Sequence, residues 1–198
     1  MGDPGEEERG VSGKGGEWVA IDFETANERR DSACALGLAV ISDGHVTRSA
    51  SWLIHPPEMR FDWRCTRVHG IRARDVEEAP EFADVWHEVT EHLSDGRLLA
   101  HNASFDMAVL RAMLAAYGMD SPDLRYACTL AMSRRAWPDL PRHRLDTMCE
   151  HCGIELMHHD AASDACACAM LALRAAEQVG SPDVESAIRA MGIRTHKL

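Results

Sequence analysis

The sequence predicts an α/β fold in which a mixed β-sheet is flanked by helices. Three apolar runs come first, and Asp43-Gly44, a dipeptide typical of tight hairpin turns, joins the second run to the third. After these runs, short apolar stretches alternate with segments whose apolar residues have helical spacing. An antiparallel three-stranded meander followed by alternating helices and strands is typical of a sheet with helices packed on its faces.

Each element has its own signal in the sequence. The strands are expected at 17–25, 34–41, 46–54, 97–102 and 125–130, and the third ends at Pro56-Pro57. Residues 58–80 look irregular. Helices are expected over 82–93, 103–118, 144–154 and 161–180, and the first of these has apolar residues at Phe82, Val85, Trp86, Val89 and Leu93. A last short helix is expected to have Ser181 as its cap and Pro182 in its first position.

Composition limits the class of protein. The chain of 198 residues is long enough for one domain, which we expect at 17–180, after a disordered Gly- and Glu-rich tail at 1–16 and before a C-terminal helix and tail at 181–198. The net charge of −11 argues against binding nucleic acid by bulk electrostatics. No apolar run is long enough to span a membrane, and the N-terminus does not resemble a signal peptide. An odd number of cysteines, seven, favours reduced thiols in a cytoplasm.

Two carboxylates end the first strand, WVAIDFET. Asp22 and Glu24 are two positions apart, so their side chains point to the same side of the strand. Like charges this close repel each other and are costly to bury unless a cation joins them. The alternative is that both carboxylates are solvated at the strand end.

Two further segments place carboxylates at the starts of helices. HNASFD places Asp106 in the first turn of a helix, and HHDAASDA places His159 and Asp164 where the Ala-rich helix begins. Each aspartate could simply be favoured by the helix dipole. Asp160 competes with Asp164 for a functional role, and His158 competes with His159.

Four carboxylates and one histidine suit a hard divalent cation. Oxygen ligands of this kind favour Mg²⁺ or Mn²⁺. Two such ions about 3.5–4 Å apart clamp the attacking and leaving oxygens in phosphodiester hydrolysis. The cations would also offset the repulsion between the carboxylates.

These motifs resemble those of the DnaQ-like 3′–5′ exonucleases of the DEDDh type, a family that includes the proofreading epsilon subunit of bacterial DNA polymerase III. IDFET, HNASFD and HDAASD match the three motifs in order, and VHGI and LPRHRLDTMCEHCGI resemble segments between them. The resemblance covers about residues 17–178 and implies a ribonuclease H-like sheet. Asp160 stands where the sister subclass has a tyrosine, which excludes that subclass.

The resemblance also implies roles for residues and two bound ions, Mg²⁺ or Mn²⁺. Asp22, Glu24 and Asp164 would hold the ion at the scissile phosphate, Asp22 and Asp106 would reach the second ion, and His159 would be the general base. The backbone at Phe23 and Thr25 would meet the terminal 3′-hydroxyl and sugar, and Asn102 and Phe105 would line the substrate side.

Several alternatives remain open on the sequence alone. The resemblance implies nucleic acid with a free 3′ end as the substrate, with DNA expected and RNA as the alternative. A DNA polymerase subunit or a second copy of the chain is a candidate partner, and a non-catalytic binding or docking module is the rival function. Cys149 and Cys152 suggest zinc or simple packing, and the basic stretch 134–144 suggests a nucleic-acid contact or a solvated loop with a packed Trp137.

Overall fold

The computed structural model describes residues 16–157 and 159–198. Six strands form one sheet in the order β3-β2-β1-β4-β5-β6. The strands are β1 (Trp18–Thr25), β2 (Ala33–Ser42), β3 (His45–Leu53), β4 (Arg97–Ala100), β5 (Arg125–Cys128) and β6 (His196–Lys197). The α-helices are α1 (Trp63–His69), α2 (Phe82–Thr90), α3 (Ser104–Ala116), α4 (Thr129–Ala136), α5 (Leu145–Cys152), α6 (Ala161–Gln178) and α7 (Val184–Ala190).

The sheet is mixed, as predicted. β1, β2 and β3 form the antiparallel meander, whereas β4 runs parallel to β1 and β5 runs parallel to β4. Short β6 is antiparallel to β5. β1 is therefore a central strand whose carboxyl end lies beside that of β4.

Both faces of β1 are covered, which explains why it is apolar along most of its length. Val19, Ile21 and Phe23 enter the cluster formed with α2 and α3. Trp18 and Ala20 enter the cluster on the opposite face, where small residues of α6 pack. Asp22 and Glu24 continue the face of Trp18 and Ala20, because side chains alternate along a strand.

Two helices were not expected from the sequence. The run 125–130 was predicted to be one strand, but β5 ends at Cys128 and α4 begins at Thr129. The buried residues of α4 recur at helical spacing, at Thr129, Met132, Ser133 and Ala136. α1 lies within the segment read as irregular, because it has a capping Asp62 and a terminal Gly70 but no buried residue, and hence no apolar stripe.

The expected start of the last helix was wrong. Asp183 caps α7, and its side chain accepts a hydrogen bond of 2.7 Å from the backbone N–H of Ser186. Ser181 instead belongs to the end of α6, where its N–H donates to the carbonyl of Ala176 after the left-handed Gly180. That arrangement satisfies carbonyls of the preceding helix.

The two ends of the chain can be compared with the terminal segments expected at 1–16 and 181–198. The tail predicted at 1–16 lies outside the described residues except for Gly16. The C-terminal segment contains α7 and β6, and β6 extends the sheet beside β5. Among the residues described, no helix is both long and apolar enough to cross a membrane.

Candidate active site

The carboxyl end of β1 carries the first two site residues. Asp22 and Glu24 are partly buried, and the pairing of β1 with β2 is regular up to Glu24. The register shifts between Glu24 and Thr25, and Thr25 then pairs with Ala33. Irregularities of this kind redirect side chains and are frequent beside active sites.

The first turn of α3 supplies the third carboxylate. Asp106 is 2% exposed, and its Oδ1 accepts a 3.1 Å hydrogen bond from the backbone N–H of Phe23. This bond ties the start of α3 directly to β1, between Asp22 and Glu24. The Phe23 amide is therefore already occupied, and any contact of Phe23 with substrate has to use another of its groups.

The loop before α6 and the first turn of that helix supply the histidine and the fourth carboxylate. Asp164 is 4% exposed, and its Oδ2 accepts a 2.9 Å hydrogen bond from the backbone N–H of His159. Exposed Asp160 has a different task, because its side chain caps α6 by accepting the N–H of Ser163. The competing His158 lies outside the described residues.

Gly37 allows this loop to approach the sheet. It pairs with Asp22 across β1 and β2, and a Cβ at this position would lie 1.8 Å from the carbonyl oxygen of Ala161. Only a residue without a side chain permits that distance. The glycine therefore sets how closely the first turn of α6, with Asp164, lies to β1.

Two residues at the site have left-handed backbones. Asn102 has φ of 69° and His159 has φ of 68°, a conformation that is uncommon for residues other than glycine. Such conformations cluster at functional sites, where the surrounding structure imposes them.

The carboxylates are held in an environment that disfavours their charge. Burial, and then Asp106, Asp164 and Glu24, raise the pKa of Asp22 well above its usual value. Burial and neighbouring carboxylates raise the pKa of Glu24 to about 8. Burial raises the pKa of Asp106 to about 7, although the Phe23 amide and Arg30 act in the opposite direction.

This arrangement fits a divalent cation. Ligand atoms of Glu24, His159 and Asp164 all lie within 4.8 Å of one another, and this is the one such group among residues 16–157 and 159–198. Mutually repelling, buried carboxylates form a site that cations stabilise strongly, and oxygen-rich ligand sets suit hard ions. The donor chemistry therefore fits the metal-bound form that the sequence predicts.

Three of the four expected substrate residues line a cleft of about 720 Å³. Its lining includes Asp22, Phe23, Glu24, Asn102, Phe105, His159 and Asp164. Thr25 is not among the described residues that line it. The guanidinium of Arg30 lies 4.3 Å from the centroid of the Phe105 ring, so one face of that ring is already covered.

His69, in the VHGI segment, was not assigned a role from the sequence. Its Nε2 is 3.2 Å from the carbonyl oxygen of Thr25, and its Nδ1 accepts the N–H of Ile71 at 3.1 Å. A carbonyl only accepts, so Nε2 carries the proton and the ring is neutral. Burial lowers the pKa of His69, which favours this form, and the ring fixes the end of β1 against α1.

The opposite wall of the cleft is basic. It includes Arg134 from α4 and the segment before α5, with Arg142, His143 and Arg144. Trp137 packs against the apolar clusters, and its ring meets His151 edge-on at 5.7 Å. Part of the basic stretch thus faces the cleft, whereas its tryptophan is a packing residue.

Other features lie away from this chemistry. Cys149 packs with Met148 and Leu171 in a small apolar cluster. A larger cavity of about 890 Å³ lies at the amino end of β1, around Trp18 and the β2–β3 turn. We assign the chemistry to the smaller cleft because the converging carboxylates line only that one of the two.

The chain resembles known proteins in sequence. The model of the exonuclease family (RNase_T) matches residues 19–172. The chain is 34% identical over 171 residues to the PolC-type DNA polymerase III of Halalkalibacterium halodurans, in an alignment that covers 85% of this chain and 12% of that protein. The chain spans about a tenth of the length of such polymerase relatives.

Solved structures share the fold. Exonuclease X, in complex with 5′-overhanging duplex DNA, has a TM-score of 0.69 and 21% identity over 88% of this chain and 99% of that chain. The nuclease domain of 3′hExo, described as a DEDDh family member bound to rAMP, has a TM-score of 0.73 and 16% identity over 92% of this chain and 97% of that chain. The matched family model extends from β1 into α6 and so includes every element that contributes to the cleft. The chain belongs to the exonuclease family.

Proposed function

We propose that this chain is a metal-dependent 3′–5′ exonuclease that releases mononucleotides from the 3′ end of nucleic acid. The observation that carries the proposal is that Asp22, Glu24, Asp164 and His159 line one cleft, while Asp106 is bonded to the backbone N–H of Phe23 between the first two. Residues from β1, α3 and the start of α6 meet there, although they are far apart in sequence.

The carboxylates would hold two divalent ions, Mg²⁺ or Mn²⁺. Glu24 and Asp164, whose ligand atoms lie close together, would bind one ion with Asp22, and Asp22 and Asp106 would serve the second. The bound ions would supply positive charge at the scissile phosphate during phosphodiester hydrolysis. The Phe23 amide holds Asp106 in place for this role.

His159 would accept the proton of the attacking water. An imidazole is suited to this role because its unperturbed pKa, about 6.5, is close to neutral pH. The hydrogen bond from its backbone N–H to Asp164 couples the position of the base to that of a metal ligand.

We propose DNA as the substrate class. Support comes from sequence relatives that are named as PolC-type DNA polymerase III and are up to 34% identical over most of this chain. The 3′hExo structure contains a ribonucleotide, so RNA is the competing substrate. A polymerase subunit in the cytoplasm would be the corresponding partner and location, with a homodimer as the other assembly.

The test is cleavage of 5′-labelled single-stranded DNA and RNA of matched sequence in Mg²⁺, Mn²⁺ or EDTA. We expect a metal-dependent ladder that shortens from the 3′ end, with faster cleavage of DNA. Asp22→Ala should abolish the ladder while leaving the circular dichroism spectrum unchanged. Full activity in that variant, or binding without any turnover in the wild type, would reject the proposal.

A second measurement separates the base from a metal ligand at position 159. His159→Gln should lower kcat by about 10²- to 10⁴-fold, the usual contribution of a general base. The Mn²⁺ affinity, measured by titration calorimetry, should change little. A large loss of Mn²⁺ affinity with His159→Gln would show that the imidazole is a ligand.

A further inference from the structure

Two arginines of the basic wall, Arg134 and Arg142, are placed to bind a ligand in the cleft. Among the residues described, Arg134 and Arg142 have no ion pair, whereas the neighbouring Arg144 lies 3.5 Å from Asp146. Both unpaired side chains line the cleft of a protein whose net charge is −11. Exposed cations beside an anionic site are available to bind an anionic ligand.

Arg134 and the next residue, Arg135, lie on different sides of α4. Leu130 and Arg134 are one turn apart on α4 and both line the cleft. Arg135 is also exposed, but it is not among the described residues that line the cleft. Arg135 is therefore a matched control on the same helix.

A buried histidine fixes the position of this wall. His101 follows β4 directly, and its Nε2 lies 2.8 Å from the carbonyl oxygen of His143. Its Nδ1 lies 3.1 Å from Oγ1 of Thr129, the first residue of α4. One ring thus contacts both segments from which the wall is built.

The hydrogen-bond roles in this contact can be assigned. The His143 carbonyl only accepts, so His101 Nε2 must donate. Burial lowers the pKa of His101 to about 4, so the ring is neutral and Nδ1 is an acceptor for the Thr129 hydroxyl, whose one proton the carbonyl of Ala100 at 3.4 Å can also accept. Thr129 Oγ1 also lies 3.3 Å from the thiol of Cys168, which can then act as the donor.

This chain of contacts connects the wall to the carboxylates. Cys168 lies on α6, four residues and about one turn after Asp164. His101 precedes Asp106, which lies in the first turn of α3, by five positions. The wall and the carboxylate cluster are therefore built on the same buried frame.

We infer that Arg134 and Arg142 bind the internucleotide phosphates upstream of the scissile bond, and that His101 is a positioning residue that holds these arginines in register with the carboxylates. This inference rests on the proposed exonuclease function. It assigns the basic wall to the part of the strand that remains after each cleavage.

The test compares two substrates in Mg²⁺ or Mn²⁺. One is a single-stranded DNA oligonucleotide, and the other is the 4-nitrophenyl ester of thymidine 5′-monophosphate, which has no upstream phosphate. The measured quantity is the ratio of kcat/KM for the oligonucleotide to kcat/KM for the ester. Hydrolysis of the ester reports the metal site alone.

Substitutions of the arginines should lower this ratio. We expect Arg134→Gln and Arg142→Gln each to reduce it about tenfold, chiefly through KM, because a charged hydrogen bond to phosphate is lost. The dependence of log KM on log salt should become shallower by about 0.7 for each contact. Arg135→Gln should leave the ratio and the salt dependence at the wild-type values.

His101 is tested by two substitutions that each keep half of its hydrogen bonds. A Gln amide N–H can replace Nε2 and still donate to the His143 carbonyl, whereas an Asn oxygen can replace only Nδ1. We expect His101→Gln to retain most of the wild-type ratio and His101→Asn to lose about tenfold. An equal loss on both substrates in His101→Asn would mean a general structural role and would overturn the positioning role.

The outcomes distinguish the inference from the function on which it rests. A wild-type protein that hydrolyses neither substrate with metal would reject the exonuclease function itself. Hydrolysis of both substrates, with unchanged ratios in Arg134→Gln and Arg142→Gln, would overturn the phosphate site and leave the function intact.

Discussion

At the scale of single residues, the carboxylates that suit the site for metal binding also lower the stability of the metal-free fold. Glu24 and Asp106 are placed where burial and mutual repulsion raise their pKa values to about 8 and about 7. Groups whose charged forms are disfavoured in the folded state lower its stability at neutral pH. Bound cations would remove this cost, so folding stability and metal binding are coupled through the same side chains.

The metal-free protein should therefore lose stability as the pH rises. Glu24 contributes stability that is fully present below its unfolded pKa, 4.5, and is lost as the pH passes through about 8. In EDTA, we expect the free energy of unfolding to be lower at pH 8 than at pH 5 by a few kcal/mol, at about 1.4 kcal/mol for each pKa unit. Urea denaturation at the two pH values measures this difference.

Two controls accompany the pH experiment. Glu24→Gln should reduce the difference, because the titrating group is gone, and Mg²⁺ should restore stability at pH 8. Equal stability of the metal-free wild type at pH 5 and pH 8 would contradict the electrostatic description of the site.

At the scale of elements, the site depends on close contact between α6 and the sheet. Gly37 on β2 faces the first turn of α6, and small side chains of that helix, such as Ala165 and Ala169, pack against the same sheet face. Few bulky groups separate the two elements. The position of Asp164 is thus set by the absence of side chains as much as by specific bonds.

Gly37→Ala should damage the site by displacing α6. The new Cβ would overlap the Ala161 carbonyl, and overpacking of this kind costs about 1–3 kcal/mol of stability. A shift of about 1 Å in catalytic groups can lower kcat about 100-fold. Cleavage rates and thermal melts measure the two effects.

Gly44→Ala is the matched control for general destabilisation. Nothing lies within 4 Å of a Cβ at Gly44, although its φ of 81° makes alanine mildly strained. We expect it to lower stability by about 1 kcal/mol with normal cleavage. Normal cleavage in Gly37→Ala as well would show that the α6 contact does not set the geometry of the site.

At the scale of the whole molecule, the cleft and the terminal strand β6 lie at different places on the sheet. The cleft lies at the carboxyl ends of β1 and β4, whereas β6 pairs with the first residues of β5. The carbonyl of Lys197 accepts a hydrogen bond from Arg111, and the N–H of Leu198 donates to the carbonyl of Leu124. His196 stacks on Tyr126 at 5.4 Å.

Deletion of residues 194–198 should therefore lower stability and spare catalysis. The lost hydrogen bonds and apolar contacts are together worth about 2 kcal/mol. We expect a reduced denaturation midpoint but an unchanged cleavage rate per folded molecule. A large fall in kcat in the truncated protein, at a temperature where it is folded, would show that the terminal strand reaches the site.

The sequence alone determined the order of most elements and the candidate carboxylates. Strand signals came from apolar runs that both faces of the sheet bury, and the alternation rule placed Asp22 and Glu24 on one side of β1. These signals are local, because periodicity and chain direction do not require knowledge of distant contacts. α1 was missed for the same reason, since it buries nothing and leaves no periodic trace.

Only the tertiary structure decided what lies next to what. Motif register favoured Asp164 over Asp160, and the fold gives the physical reason, because it leaves Asp160 as an exposed cap and buries Asp164 beside Glu24. His101 was visible as part of a motif, yet its contacts to Thr129 and His143 join segments that lie 28 and 42 positions away. Packing and desolvation depend on such distant neighbours, so local pattern identifies the chemically capable residues and tertiary contact selects among them.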